Sequence, residues 1–155
     1  MQAEFRTSQP SQKIILAHLD LAKKQITALG GIKLGLELRL FHTQKKVPTH
    51  DHLHELSPTT LNEAWALVEK ATAALQTEAA EFCHCINAYA AWMENNSLLA
   101  PHSAAALKAR PKVFLAAKGC GALGADVLLT LSAENVDVSA WVQEFSLLEI
   151  FSTTI

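Results

Sequence analysis

The apolar and polar positions change rhythm several times along the chain, and each rhythm predicts an element. After a polar lead-in over residues 1–11 that contains Pro10 and reads as a tail, the apolar positions Ile14, Ile15, Leu16, Leu19, Leu21, Ala22, Ile26 and Leu29 run up to Gly30-Gly31. That run predicts a helix with a glycine C-cap. Leu34, Leu36, Leu38 and Leu40 then alternate with Gly35, Glu37, Arg39 and Phe41, the two-residue period of a strand with one buried face. A basic turn, Gln44-Lys45-Lys46-Val47-Pro48, follows, and Pro48 serves as a break or an early helix position before His50 to Leu56.

Ser57-Pro58-Thr59 marks the start of a further helix, with Ser57 or Thr59 placed to accept a bond from an orphan backbone N–H. No Gly or Pro interrupts the chain from Thr60 to Asn96, and Leu61, Ala64, Trp65, Val68, Ala71, Ala74 and Leu75 keep helical spacing. Ala79, Phe82, Ile86, Tyr89, Ala90 and Met93 resume it. The stretch exceeds a common globular helix, so it predicts two helices broken near Gln76 to Glu78. A short third helix is expected over 103–109, after Pro101.

The last third predicts strands at 113–116 and 125–131 joined by the turn Lys118-Gly119-Cys120-Gly121-Ala122-Leu123-Gly124, a helix within 136–145, and a terminal strand over 148–153. An α+β fold follows: a four-stranded antiparallel sheet with helices mainly on one face.

Composition narrows the class. The 155 residues are 50% hydrophobic, 18% charged and 6% aromatic, so Ala and Leu carry most of the apolar content and favour closely packed helices. A net charge of -2 supplies no global field for nucleic acid. The three cysteines include an odd one, and Cys83 and Cys85 are too close to bridge within a regular element, which argues against a secreted disulfide scaffold. No signal-peptide pattern opens the sequence, and no apolar run approaches about 18 residues. The expectation is a soluble cytoplasmic protein without a membrane partner.

The glycine turn is the most informative candidate site. Gly119, Gly121 and Gly124 permit positive φ and close approach of a ligand to the main chain, and Lys118 adds charge to a possible anion nest. A β-hairpin with a bulge also uses glycine, and both readings stand at this level. Cys120 has Lys118 near it in sequence, a neighbourhood that can lower a thiol pKa. Lys45 and Lys46 line an anionic site or form a solvated loop.

His50 and His54 share one helical face and are the metal-ligand candidates, against a plain solvated helical turn. Cys83 and Cys85 diverge on a helix and read as buried small residues. Trp65, Trp92 and Trp141 read as packing anchors.

Taken in order, these segments resemble the C-terminal domain of the GHMP kinase superfamily (galactokinase, homoserine kinase, mevalonate kinase, phosphomevalonate kinase), most of all mevalonate kinase. The carriers are the Gly119-Cys120-Gly121-Ala122-Leu123-Gly124-Ala125 turn and the Val127–Leu131 strand after it, Phe41 to Thr49, and the Ala-rich helices with Tyr89 to Asn96. Family members carry a more glycine-rich turn here; Ala122 and Leu123 stand where two of its glycines would be. The resemblance covers about residues 34–155, leaving 1–33 as an N-terminal tail and helix.

It implies a ferredoxin-like fold and a domain that lines the substrate and phosphates of a small-molecule kinase, with Lys118, Gly119, Cys120, Gly121, Gly124, Lys45 and Lys46 as binding residues. The family's ATP loop, Pro-x-x-x-Gly-Leu-Gly-Ser-Ser-Ala, does not occur in the sequence. ATP and Mg²⁺ are therefore expected only in a complete enzyme, and this chain alone is expected to be inactive. Its implied partners are an anionic small-molecule substrate and a missing N-terminal kinase half. A non-catalytic module that self-associates as a homodimer is the alternative.

Overall fold

The computed structural model describes residues 15–20, 25–47 and 57–155, in two compact units, 1–32 and 33–155. The tail expected over 1–11, Pro48 and the histidine-bearing segment with His50 and His54 lie outside the described residues.

The first unit corrects one expectation. Instead of a helix over 13–29, β1 (Ile15–Asp20) and β2 (Gln25–Gly31) form an antiparallel pair. Gly30 and Gly31 pair with Leu16 and Ile15 in that ladder, with a bulge between Leu16 and Ala17, and do not cap a helix.

In the second unit the order is β3 (Glu37–His42), α1 (Pro58–Ala74), α2 (Ala79–Asn95), α3 (Pro101–Lys108), β4 (Phe114–Cys120), β5 (Val127–Ser132), α4 (Ser139–Glu144) and β6 (Leu148–Thr154). The strands form one antiparallel sheet in the order β4-β5-β3-β6. Each helical connection returns the chain across an intervening strand, which is the ferredoxin-like split arrangement.

Local chemistry explains the boundaries. The Ser57 hydroxyl caps α1 by accepting the Thr60 N–H at 3.1 Å, and Pro58 takes a first-turn position. The break between α1 and α2 falls at residues 75–78, where the Thr77 hydroxyl donates to the Ala74 carbonyl at 3.2 Å. The outer edge of β4 is closed by a side chain: the Asn87 amide of α2 donates to Leu115 O at 2.9 Å and accepts from Ala117 N at 3.4 Å. That pairing gives an edge strand the hydrogen bonds a neighbouring strand would supply.

The core lies between the sheet and α3 and α4. Trp141 stands edge-on to Phe41 (5.3 Å between ring centroids) and Phe114 (5.5 Å), and its indole N–H donates to Ala106 O at 2.9 Å. One side chain thereby joins α4, β3, β4 and α3 and satisfies its own polar group. Leu128, Ala117, Leu107, Val138 and Leu147 complete the cluster.

The alternation in β3 reads differently here. The fully buried residue is Phe41, while Leu38 and Leu40, on the other face, are half-buried. β3 is a central strand with apolar residues on both faces, so alternation alone does not say which face meets the helices.

Candidate functional site

The register places three connections at one end of the sheet. Cys120 and His42 both pair with Val127, and His42 also pairs with Leu148. The glycine turn after β4, the basic loop after β3 and the connection before β6 therefore meet there.

Residues 122–124 form a short 3-10 turn inside a tight hairpin. Two of the glycines are dictated by packing. A Cβ on Gly119 would lie 2.7 Å from Gly124 Cα and 2.8 Å from its carbonyl oxygen, and one on Gly124 would lie 2.8 Å from a Leu99 methyl. Gly121 and Gly124 also have φ of 81° and 54°, in the left-handed region that suits glycine. Leu123, a non-glycine residue, shares that region at φ 58°.

The turn's carbonyls anchor its neighbours. Gly121 O accepts Gly124 N–H, Leu123 O accepts Ala100 N–H at 2.8 Å, and Asp126 O accepts Thr43 N–H at 2.9 Å. Ala125 O accepts the Thr43 hydroxyl and faces His102 Nε2 at 2.9 Å. A carbonyl acceptor requires Nε2 to carry the proton. Across a planar trans peptide the C=O and the following N–H point in opposite directions. The Asp126 N–H thus points away from Thr43 and His102, and the Val127 N–H away from Thr43.

A cavity of about 270 Å³ opens on the Thr43 and His102 side, bordered by Lys45 and Glu144, with Ala105, Ala106, Phe145 and Leu147 among its apolar walls. Its rim is fixed by backbone. Gln44, at φ 59°, donates from its side chain to Ser146 O at 2.8 Å, and its N–H bonds His42 Nδ1 at 3.0 Å. Lys45 is exposed on this rim, and Lys46 is exposed one residue further along the loop.

The other predicted residues are distributed differently. Lys118 lies 4.8 Å from the centre of the Tyr89 ring and donates to Gly119 O at 3.2 Å; it does not border the cavity. Cys120 is partly exposed, whereas Cys83 and Cys85 are buried. Burial raises the Cys83 pKa; burial first, then the nearby Glu81 carboxylate, raises that of Cys85. Burial, with a smaller contribution from Cys120, raises that of Tyr89.

The structure thus brings Lys45 to the cavity, while Gly119 and Gly124 pack against each other and Leu99 and Lys118 is placed elsewhere. Thr43 and His102 went unnoticed in the sequence, since Thr43 reads only as a strand end and His102 as a residue after a helix-starting proline. Their shared partner, Ala125 O, is a backbone atom and leaves no sequence signal. No group of three His, Cys, Asp or Glu suited to a metal occurs among the described residues, and no helix there is long and apolar enough to cross a membrane.

No family model matches the sequence, and no curated protein is similar to it. Solved structures do share its fold. Streptococcus pneumoniae phosphomevalonate kinase, solved in complex with phosphomevalonate and AMPPNP, matches 85% of this chain at 12% identity with a TM-score of 0.65. L. major mevalonate kinase, in complex with R-mevalonate, matches 88% at 15% identity with a TM-score of 0.62. The match takes in 44% and 48% of those two chains, so this chain spans less than half the length of either. Over most of its length the chain shares the fold of the matched parts of these two kinases.

Proposed function

We propose that this chain supplies the substrate-lining domain of a GHMP-type small-molecule kinase, an enzyme class that passes the ATP γ-phosphoryl group to a substrate alcohol. The observation that carries the reading is the fold match to two such kinases, spread over most of this chain and less than half of each of theirs. The site at the sheet end supports it. An anionic substrate meets the Lys45 ammonium at the rim, His102 and Thr43 are held in place by Ala125 O, and the carbon skeleton lies against Ala105, Phe145 and Leu147. Lysine acts here as a point charge for a phosphate or carboxylate.

The residues lining the cavity do not fit ATP with Mg²⁺. Glu144 is the one carboxylate among those lining the cavity, whereas a bound Mg²⁺ wants oxygen ligands in octahedral order together with substrate phosphates. The nucleotide is assigned to a part of the complete enzyme that bears the family's ATP loop.

Calorimetric titration of the chain with phosphomevalonate tests the proposal. Saturable binding is expected, weakened at least about tenfold by Lys45→Ala and unchanged by Lys118→Ala. Absence of binding, or equal loss in both variants, contradicts it. Incubation with ATP, Mg²⁺ and mevalonate is expected to give no turnover by the chain alone, and robust phosphorylation would overturn that part of the proposal.

A further inference from the structure

The cavity at the sheet end lies against one face of α3, where His102, Ala105 and Ala106 fall together. Ala104, Leu107 and Lys108 fall on the opposite face, at about 100° per residue, and border a second cavity of about 390 Å³ between α2 and α3. Its walls include Ala90 and Ala91 of α2, Ala104 of α3 and Ala117 of β4. Protein interiors usually close such gaps, but here each helix is held by other partners. Asn87 ties α2 to β4 through Leu115 O and Ala117 N. Leu123 O holds the Ala100 N–H before α3, and the Trp141 indole N–H holds Ala106 O within it. The opening is therefore part of the fold, and its volume falls in the range of small-molecule sites, about 300–1,000 Å³.

The charges around this cleft are sorted by position. Helix α2 runs in the direction of β4: Asn87 meets Leu115 and Ala117, and the Met93 methyl faces Gly124 in the turn. Helix α3 runs back, from Leu123 O at the turn to Pro111, whose carbonyl accepts the Phe114 N–H at the start of β4. Glu94 therefore stands at the glycine-turn end of the cleft, and Lys108 and Arg110 stand with Asn87 at the other. Two turns of α2, roughly 10 Å, separate Asn87 from Glu94. The ion pair found among the described residues is Arg39 with Glu149, and none there joins Glu94 to Lys108 or Arg110. Arg110 donates one N–H to Leu107 O at 2.9 Å. That bond holds the guanidinium at the end of α3 and leaves its remaining donors for a ligand.

We propose that this cleft binds a linear zwitterion, a small molecule with a carboxylate at one end, an amine at the other and an aliphatic spacer between them. The carboxylate meets Lys108 and the forked donors of Arg110, the ammonium meets Glu94, and the spacer lies along the alanines. A plain anion leaves Glu94 without a counter-charge, and a plain amine leaves the two cations without one. An α-amino acid carries both charges on one carbon and is too short to reach both ends. The site lies across α3 from the Lys45 cavity, and the inference is independent of the kinase reading.

Amide chemical shifts of the labelled full chain, titrated with 6-aminohexanoate, test it. Hexanoate, hexylamine and free glycine serve as probes that lack one charge or the spacing. Saturable shifts are expected at Ala91, Ala104 and Ala117, with a dissociation constant on the order of 1 mM. Each of the other three probes should bind at least about fivefold more weakly, the effect of one exposed ion pair. Glu94→Gln should reduce 6-aminohexanoate to the level of hexanoate. Lys108→Gln should weaken it at least about threefold, and Lys70→Gln, which alters an exposed lysine of α1 away from the cleft, should leave it unchanged. No saturable shift up to about 50 mM, equal binding of hexanoate and 6-aminohexanoate, shifts centred on Lys45 and His102, or equal loss in Lys70→Gln overturns the proposal. The probe series uses the wild-type chain, so it decides even where a variant fails to fold.

Discussion

The glycine turn and helix α1 are opposites. The turn is irregular in backbone, with three residues of positive φ between 121 and 124, yet two of its glycines leave no space for a methyl group. Helix α1 is regular from Ser57 onward and buries one residue of seventeen. Regularity and packing are therefore separate properties in this molecule. The turn is specified by how closely backbones approach, and its carbonyls hold Thr43, Ala100 and His102 in place. The helix is specified by its cap and propensity and leaves an apolar stripe, Leu61, Trp65 and Val68, exposed.

Substitutions in the two regions should separate most sharply in stability. Gly119→Ala drives a methyl group into the Gly124 backbone and should cost about 3 kcal/mol, since neither partner is a flexible side chain. A loss below about 1 kcal/mol in urea unfolding would show that the turn relaxes and would remove the contrast. Trp141→Phe, which leaves Ala106 O without its donor and reduces the aromatic cluster, should cost about 2 kcal/mol. Asn87→Ala strips β4 of the amide that closes its edge. A loss of about 1 kcal/mol is expected, with faster hydrogen exchange at Ala117. Trp65→Ala, at the centre of the exposed stripe, should change the stability by less than about 0.5 kcal/mol.

The smallest effect is a pH dependence at α4. The Ser139 hydroxyl and N–H both donate to Asp137, holding its pKa below the ordinary carboxylate value. A depressed folded-state pKa stabilises the protein above the unfolded value, near 3.9, and that contribution disappears as pH falls through the folded value. Melting temperatures measured from pH 6 to about pH 2 should fall less steeply for Asp137→Asn than for the wild type.

Much of the fold was legible because it rests on local chemistry. Ser57-Pro58 announces α1, the absence of Gly and Pro from Thr60 to Asn96 announces the helical pair, and the turn between two apolar runs announces the β4–β5 hairpin. The N-terminal strands were missed because Ile15, Leu19, Ile26 and Leu29 keep helical spacing, and pairing between the two segments overrode it. Trp65 was expected to be a packing anchor and is exposed. Spacing places a residue on a face, and only the arrangement of other elements says whether that face is covered. Lys45 was legible as a basic loop residue, but its cavity was not, because the cavity is organised by Ala125 O and by a strand register that brings distant loops together.

The central claim is that the glycine-turn end of the sheet receives an anionic small molecule through Lys45. Amide chemical shifts of the labelled chain, followed while a small phosphorylated carboxylic acid is added, test it most directly. The account predicts saturable shifts at Thr43, Lys45 and His102 that vanish in Lys45→Ala and leave the Tyr89–Lys118 region unmoved. Shifts centred on Lys118, or shifts that persist unchanged in Lys45→Ala, would contradict it.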